Sequence, residues 1–183
     1  MFIRSERLFL RPGWPEDWAE LLGAINDEGV VRNLATAPWP YSMEDAMAFA
    51  RRPQDRNLPH FFVTLPTGEG AKLIGCVGLD RHGDEVELGY WIARSHWGQG
   101  YATEAVGAVL SLASALGHRR ISAGHFIDNP ASGRVLEKVG FVPTGGREMR
   151  FSLARGEEAL AASYRAELEQ PCGMDDECLE RAA

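Results

Sequence analysis

Cysteine is scarce in this chain, and lysine scarcer still. Three cysteines are too few for a disulfide framework. Cys76 lies in an apolar run and reads as a small core residue, while Cys172 and Cys178 lie in a polar tail. That usage fits a reducing cytoplasm. The lysines are Lys72 and Lys138; every other basic residue is arginine, which reads as compositional bias. No apolar run approaches the ~20 residues of a membrane span. Met1-Phe2-Ile3-Arg4 does not open a signal peptide, so no membrane partner is expected. The histidines (His60, His82, His96, His118, His125) show no metal-ligand spacing, and no metal is expected. A net charge of −7 argues against nonspecific nucleic-acid binding and favours cationic substrates.

What is present suits one globular domain over residues 1–170, followed by an acidic tail, 171–183, expected to be disordered. Residues 3–10 alternate as a strand does. Pro15 to Asn26 has helical spacing, and Ser42 caps a second helix with Glu44 and Asp45 in its first turn. Phe61–Leu65, Lys72–Leu79, Glu85–Ile92 and Arg120–Ile127 read as strands. Asn129 caps a helix that has Pro130 at its first position and Gly140 past its end. Phe141 to Leu153 reads as a strand broken at Gly145-Gly146. Residues 157–168 are rich in Ala, Glu and Leu, which favours a helix by propensity, yet they alternate around Leu160, Ala162 and Tyr164.

The informative stretch is Arg94 to Ala105, RSHWGQGYATEA. Gly98 and Gly100 follow the strand LGYWI and open a helical pattern that runs to Leu116. The first N–H groups of a helix lack intrahelical partners, and the helix dipole adds positive charge there. The N–H groups from Trp97 to Ala102 are therefore expected to hold a pyrophosphate. No GxxxxGK[ST] lysine follows, which excludes a triphosphate loop. A full GxGxxG is also missing, because Thr103 stands where a dinucleotide fold needs Gly or Ala.

WGQGYATEA after LGYWI resembles the acyl-CoA signature of the GNAT superfamily of N-acetyltransferases. A second block, Asn129-Pro130-Ala131-Ser132 with Val135-Leu136-Glu137-Lys138-Val139-Gly140-Phe141, is similar to that family's NxxS…LEKxGF segment. The leading strand Arg7-Leu8-Phe9-Leu10-Arg11-Pro12 matches too. More narrowly, the chain resembles the Rim type (RimJ/RimL), which acetylates the N-termini of ribosomal proteins. One departure is Ser95, where the superfamily often has Gln or Arg. The resemblance implies a single α/β domain with a mixed, mostly antiparallel, V-shaped sheet and helices on both faces. Strand 157–168 belongs to that fold.

The resemblance also implies acetyl transfer from acetyl-CoA to a primary amine by direct attack. The cofactor would lie along Tyr90, Trp91 and Ile92 and in the cradle Trp97, Gly98, Gln99, Gly100, Tyr101 and Ala102, with Asn129 and Ser132 on the pantetheine. A backbone N–H of Leu88 to Trp91 would hold the oxyanion. Gly89 is read either as a bulge there or as a packing glycine. Glu87 is the candidate base, through water, and Glu85 is second; the rival reading leaves both as exposed strand carboxylates. Ser132 would donate to the leaving thiolate, or else help cap its helix. Leu136 stands where many relatives have a tyrosine. Glu104 reads as structural, favoured in a first turn by the dipole. The acceptor pocket is expected between Ala37–Tyr41, with Trp39 and Tyr41, and the hairpin near Gly145. An α-amine, pKa about 8, is neutral far more often at pH 7 than lysine at about 10.4, so it asks less of a base. The acceptor is thus expected to be a protein N-terminus; a small-molecule amine and a non-catalytic acyl-CoA-binding module are the rivals. Monomer and homodimer both remain open.

Overall fold

A computed structural model describes residues 1–169; the tail from 171, with Cys172 and Cys178, lies outside the described residues. In chain order the elements are β1 (Ile3–Arg4), β2 (Phe9–Arg11), a 3-10 turn (Pro15–Asp17), α1 (Trp18–Ile25), α2 (Glu28–Val31), α3 (Met43–Ala50), β3 (His60–Thr67), β4 (Gly70–His82), β5 (Glu85–Ile92), a second 3-10 turn (Arg94–His96), α4 (Tyr101–Ala115), β6 (Arg120–Phe126), α5 (Pro130–Lys138), β7 (Val142–Ser152) and β8 (Glu157–Glu167). One sheet holds all eight strands in the order β1-β2-β3-β4-β5-β6-β8-β7. Every neighbouring pair is antiparallel except β5 with β6.

Two cores cover the sheet, one on each face. Leu73 to Leu79 of β4 are buried without a break, as a central strand covered on both sides must be. On one face Leu79, Leu88 and Ile92 pack against Val106, Val109 and Leu110 of α4 and Leu136 of α5. On the other, Leu73, Cys76 and Trp91 pack against Leu21 and Ile25 of α1 and Ala46 and Ala50 of α3. Among the described residues no helix is long and apolar enough to cross a membrane.

Local chemistry sets the ends. Ser42 and Asp45 form a reciprocal capping box: the Asp45 N–H donates to Ser42 Oγ (3.1 Å) and the Ser42 N–H to Asp45 Oδ2 (3.0 Å). α5 closes in a Schellman motif, with Phe141 N–H donating to Leu136 O (3.0 Å) and Gly140 N–H to Glu137 O (3.2 Å).

Three expectations need correction. The strand at 3–10 is two strands, because the Ser5 N–H bonds Leu8 O (3.0 Å) and turns the chain back. The first helix begins at Trp18, after a 3-10 turn, and α2 comes next because Asp27 accepts from Gly29 N–H at 2.8 Å. Asn129 starts α5, yet its side chain makes no capping bond. The strand implied at 157–168 is present as β8, which gains ladder partners on both sides from β6 and β7 and so overrides the helical propensity of its residues. The break at Gly145-Gly146 is a register shift between Pro143 and Arg147 within β7.

Glu104 ties the first turn of α4 to the β1–β2 turn. Its carboxylate accepts from the Arg7 N–H, from Arg7 Nε and from the Ser5 hydroxyl, each at 2.7 Å. Burial alone would raise its pKa, but these bonds hold it below the ordinary carboxylate range. A depressed pKa stabilises above the unfolded value of about 4.3 and loses that stabilisation as pH falls through the folded one. Glu104→Ala is therefore expected to cost about 1–3 kcal/mol at neutral pH. The gap from wild type should narrow below about pH 4, as read by urea unfolding at both pH values.

Candidate functional site

The site begins where two strands part. β5 and β6 pair only at Glu87↔Ser122 and Leu88↔Ala123. Beyond that, β6 continues beside β8 to Phe126, and Gly89 to Ile92 keep β4 alone as ladder partner. Their other edge faces the gap, so apart from Ile92 O, which accepts from the Trp97 indole, its backbone N–H and C=O groups are available to a ligand lying as an added strand. Gly89 pairs in plain register with Gly78, and a Cβ there would meet nothing within 4 Å. It is thus neither a bulge nor a packing glycine, since open space lies beside it.

The gap leads to an anion cradle. Trp97 Nε1 donates to Ile92 O at 2.6 Å and folds the chain back at the end of β5. Gly98 (φ 74°) and Gly100 (φ 81°) then take left-handed conformations that a side chain would strain. The Trp97 N–H donates to Arg94 O (3.2 Å), so it does not join the cradle as expected. The N–H groups of Gly98, Gln99, Gly100, Tyr101 and Ala102 donate to no acceptor among the described residues. They sit at the positive end of the 15-residue α4. Arg7 braces them, donating Nη1 to Gln99 O (3.0 Å) and lying 4.7 Å over the Tyr101 ring. These residues fit the diphosphate of a coenzyme.

Alternation along β5 sends its side chains to opposite faces. On the α5 face, the Tyr90 hydroxyl lies 2.6 Å from Ser132 Oγ and 3.1 Å from Ser132 O. Ser132 does not cap its helix; its hydroxyl is committed to Tyr90. Burial pushes the Tyr90 phenol up to about 12, with the Ser132 bond opposing and Tyr164 adding to the rise. Asn129 offers a side-chain amide with no partner among the described residues.

On the opposite face, Glu87 is held by Arg150 through two bonds, Nη1 to Oε1 (2.6 Å) and Nη2 to Oε2 (2.8 Å). This pair keeps the Arg150 guanidinium above its ordinary pKa. It lies over Gly124, the first β6 residue past the shared ladder. Glu85 pairs with Arg165 at 2.9 Å. His125 bonds Phe126 O through Nδ1 (2.8 Å) and packs against Tyr164.

The acceptor side departs from expectation. Trp39 stands exposed in the wall of an open cavity of about 500 Å³, with Asp27, Glu28, Arg32 and Arg94. Tyr41 is buried in the core among α1 and α3 instead, and Trp91 with it, so both serve packing. Just before Ala37–Tyr41, the loop after α2 is fastened at Arg32, Leu34 and Ala35. It meets the β7–β8 turn: Ser152 Oγ donates to Leu34 O (2.9 Å), Leu153 N–H to Ala35 O (3.0 Å) and Arg155 Nε to Arg32 O (2.7 Å). Arg155 also grips Asp128 at 2.8 and 2.9 Å, and Arg32 reaches it at 3.0 Å. Together they strap the N-terminal arm of the sheet to the C-terminal arm. Arg32, Arg150, Arg155 and Asp128 escape a reading of the sequence, because each meets its partner across 27 to 123 residues with no local pattern. Among the described residues no cluster of three or more His, Cys, Asp or Glu could hold a metal.

Residues 7–142 match the family model described as an acetyltransferase (GNAT) domain. The chain is 32% identical over 149 residues to an uncharacterized N-acetyltransferase, YoaA of Bacillus subtilis (strain 168), covering 78% of this chain and 84% of the relative. A GNAT acetyltransferase from Bacillus anthracis superposes with a TM-score of 0.77 at 26% identity, over 91% of this chain and 98% of that one. RimL, a ribosomal L7/L12 α-N-protein acetyltransferase in complex with coenzyme A, superposes at 0.74 with 17% identity, over 93% and 100%. Spermidine N-acetyltransferase from Vibrio cholerae, with CoA and spermine, superposes at 0.71 with 20% identity, over 88% and 95%.

Gly100→Ala places a Cβ at φ 81° and 3.4 Å from Arg7 Nη2. It is expected to weaken acetyl-CoA binding about tenfold by calorimetry, from a left-handed strain of about 1–2 kcal/mol. Gly107→Ala, in open space within α4, should leave binding unchanged and stabilise the fold by up to about 1 kcal/mol.

Proposed function

The chain belongs to the GNAT acetyltransferase family, whose members use acetyl-CoA, and we propose that the amine it acetylates is a protein N-terminal α-amine. The observation that carries this is the Arg150 grip on both oxygens of Glu87. With both oxygens already accepting from one guanidinium, this carboxylate has only its outer lone pairs left for a water relay. It suits an amine already partly neutral at pH 7, as an α-amine with pKa about 8 is. A lysine at about 10.4 would need about 3 kcal/mol more help with deprotonation.

In this reading the N–H groups of Gly98 to Ala102 hold the diphosphate. The free edge of Gly89 to Ile92 pairs with the pantetheine, and Asn129 adds a side-chain bond to its amides. The amine enters from the Glu87 face, passes its proton to Glu87 through water and attacks the thioester carbonyl. A backbone N–H of the free edge receives the oxyanion. The thiolate departs on the Ser132 face, where the hydroxyl donates to sulfur. The thiol is far more acidic than serine, so Ser132 helps without being indispensable.

A second reading, a small-molecule amine such as a polyamine, draws on Asp27 and Glu28 in the cavity wall. Its volume is within the range of small-molecule sites. RimL and the spermidine enzyme are both under 25% identical and bear on the fold alone.

The test is thiol release from acetyl-CoA against N-terminal peptides, lysine peptides, polyamines and aminoglycosides, with product mass confirming the acetylated atom. N-terminal peptides should exceed the other classes at least tenfold in kcat/KM. A polyamine or aminoglycoside in first place overturns the α-amine assignment. On the best acceptor, Glu87→Gln should lower kcat by about 10–100-fold and Ser132→Ala by about tenfold. Full turnover by either variant removes that residue from the mechanism.

A further inference from the structure

Behind Ser132 stands Tyr90, hydrogen-bonded to it on the α5 face. Granted that Ser132 is the donor to the leaving thiolate, we propose that Tyr90 is a positioning residue: it sets the direction of the Ser132 hydroxyl hydrogen, and so decides whether a departing thiolate finds a donor.

The argument is one of counting hydrogens. Tyr90 and Ser132 hydroxyls lie 2.6 Å apart, so one donates to the other. Each has a single hydrogen. In the first arrangement Ser132 donates to the Tyr90 oxygen, and Tyr90 donates to the Ser132 carbonyl at 3.1 Å. Both hydrogens are then occupied, and the serine has nothing to give to sulfur. In the second, Tyr90 donates to Ser132 Oγ, and the serine hydrogen is released to a third acceptor. A thiolate arriving beside Ser132 selects this second arrangement. The two bonds then run in one direction, Tyr90 to Ser132 to sulfur, and each polarises the next. No covalent bond changes: both hydroxyls keep their protons, and the sulfur is stabilised as an acceptor.

The surroundings favour a rotor over an acid. With its pKa near 12, the phenol stays protonated through the neutral range. Neighbouring groups do not compete for it. The Tyr164 hydroxyl is directed at Glu137 Oε1 (3.5 Å), and His125 Nδ1 at Phe126 O. Without the phenol, Ser132 is free to bond back to a carbonyl of its own helix, a habit of serine within a first turn.

Coenzyme A itself is the probe, so no acceptor amine is required. Its thiol is titrated in complex with wild type, Tyr90→Phe, Ser132→Ala and the double variant, by the ultraviolet absorbance of the thiolate. Desulfo-CoA binding, by calorimetry, reports the rest of the site. The wild-type complex should titrate about one unit below free CoA, the size of a hydrogen bond to a charged group. Ser132→Ala should return it to the free value, and Tyr90→Phe should move it at least halfway back. The double variant should match Ser132→Ala, and Tyr90→Phe should bind desulfo-CoA no more weakly than Ser132→Ala does. A wild-type titration in Tyr90→Phe, a double variant that differs from Ser132→Ala, or a desulfo-CoA affinity lower in Tyr90→Phe than in Ser132→Ala overturns the proposal. An unchanged titration in Ser132→Ala removes the donor role of Ser132 as well, a result distinct from failure of Tyr90 alone.

Discussion

Everything at this site depends on an interrupted ladder. A parallel pair normally continues for the length of its strands, because each unpaired backbone group forgoes a hydrogen bond. Here it lasts for two residue pairs and stops after Leu88. β6 satisfies its far edge with β8, whereas the edge of β5 from Gly89 to Ile92 is left to a guest. The two cores make the interruption tolerable. α4 and α5 fasten one face across the divide, and the strap from Arg32 to Asp128 and Arg155 fastens the other. The gap is thus held open by packing on both sides, with no side chain filling it at Gly89.

The interruption also divides the chemistry. Glu87 and Leu88 are adjacent, yet their side chains leave the sheet on opposite faces. Through Glu87 one face holds a carboxylate gripped by arginine. Three residues past Glu87 along β5, Tyr90 carries its pair with Ser132 to the other. In the proposed mechanism, proton removal and thiolate departure are therefore separated by the backbone that both serve. A group that takes protons and a group that donates hydrogen bonds do not neutralise each other.

Much of this is legible in the sequence where the signal is local. Gly98 and Gly100 announce left-handed turns ahead of an amphipathic run, and Pro130 and Gly140 bracket α5. Ser42 and Asp45 spell a capping box. The family resemblance supplies β8, against the helical propensity of 157–168. What stays hidden is long-range or competitive. Nothing near Glu87 in the chain points to Arg150, 63 residues on. Tyr41 and Trp91 read as site aromatics, but an aromatic ring is equally at home in a core, and burial decides for packing. The Trp97 N–H belongs to the cradle by its position in the chain, yet its 3-10 turn claims it.

Four of the cations around the cleft, Arg32, Arg94, Arg150 and Arg155, carry guanidinium groups. What composition alone presents as a bias thus has a chemical consequence. An ammonium group held beside an activated thioester would be a nucleophile whenever it lost its proton, and would be acylated in place of the acceptor. A guanidinium stays protonated throughout the working range and offers no such lone pair. These four residues can strap, brace and neutralise at the mouth of the cleft while remaining immune to self-acylation.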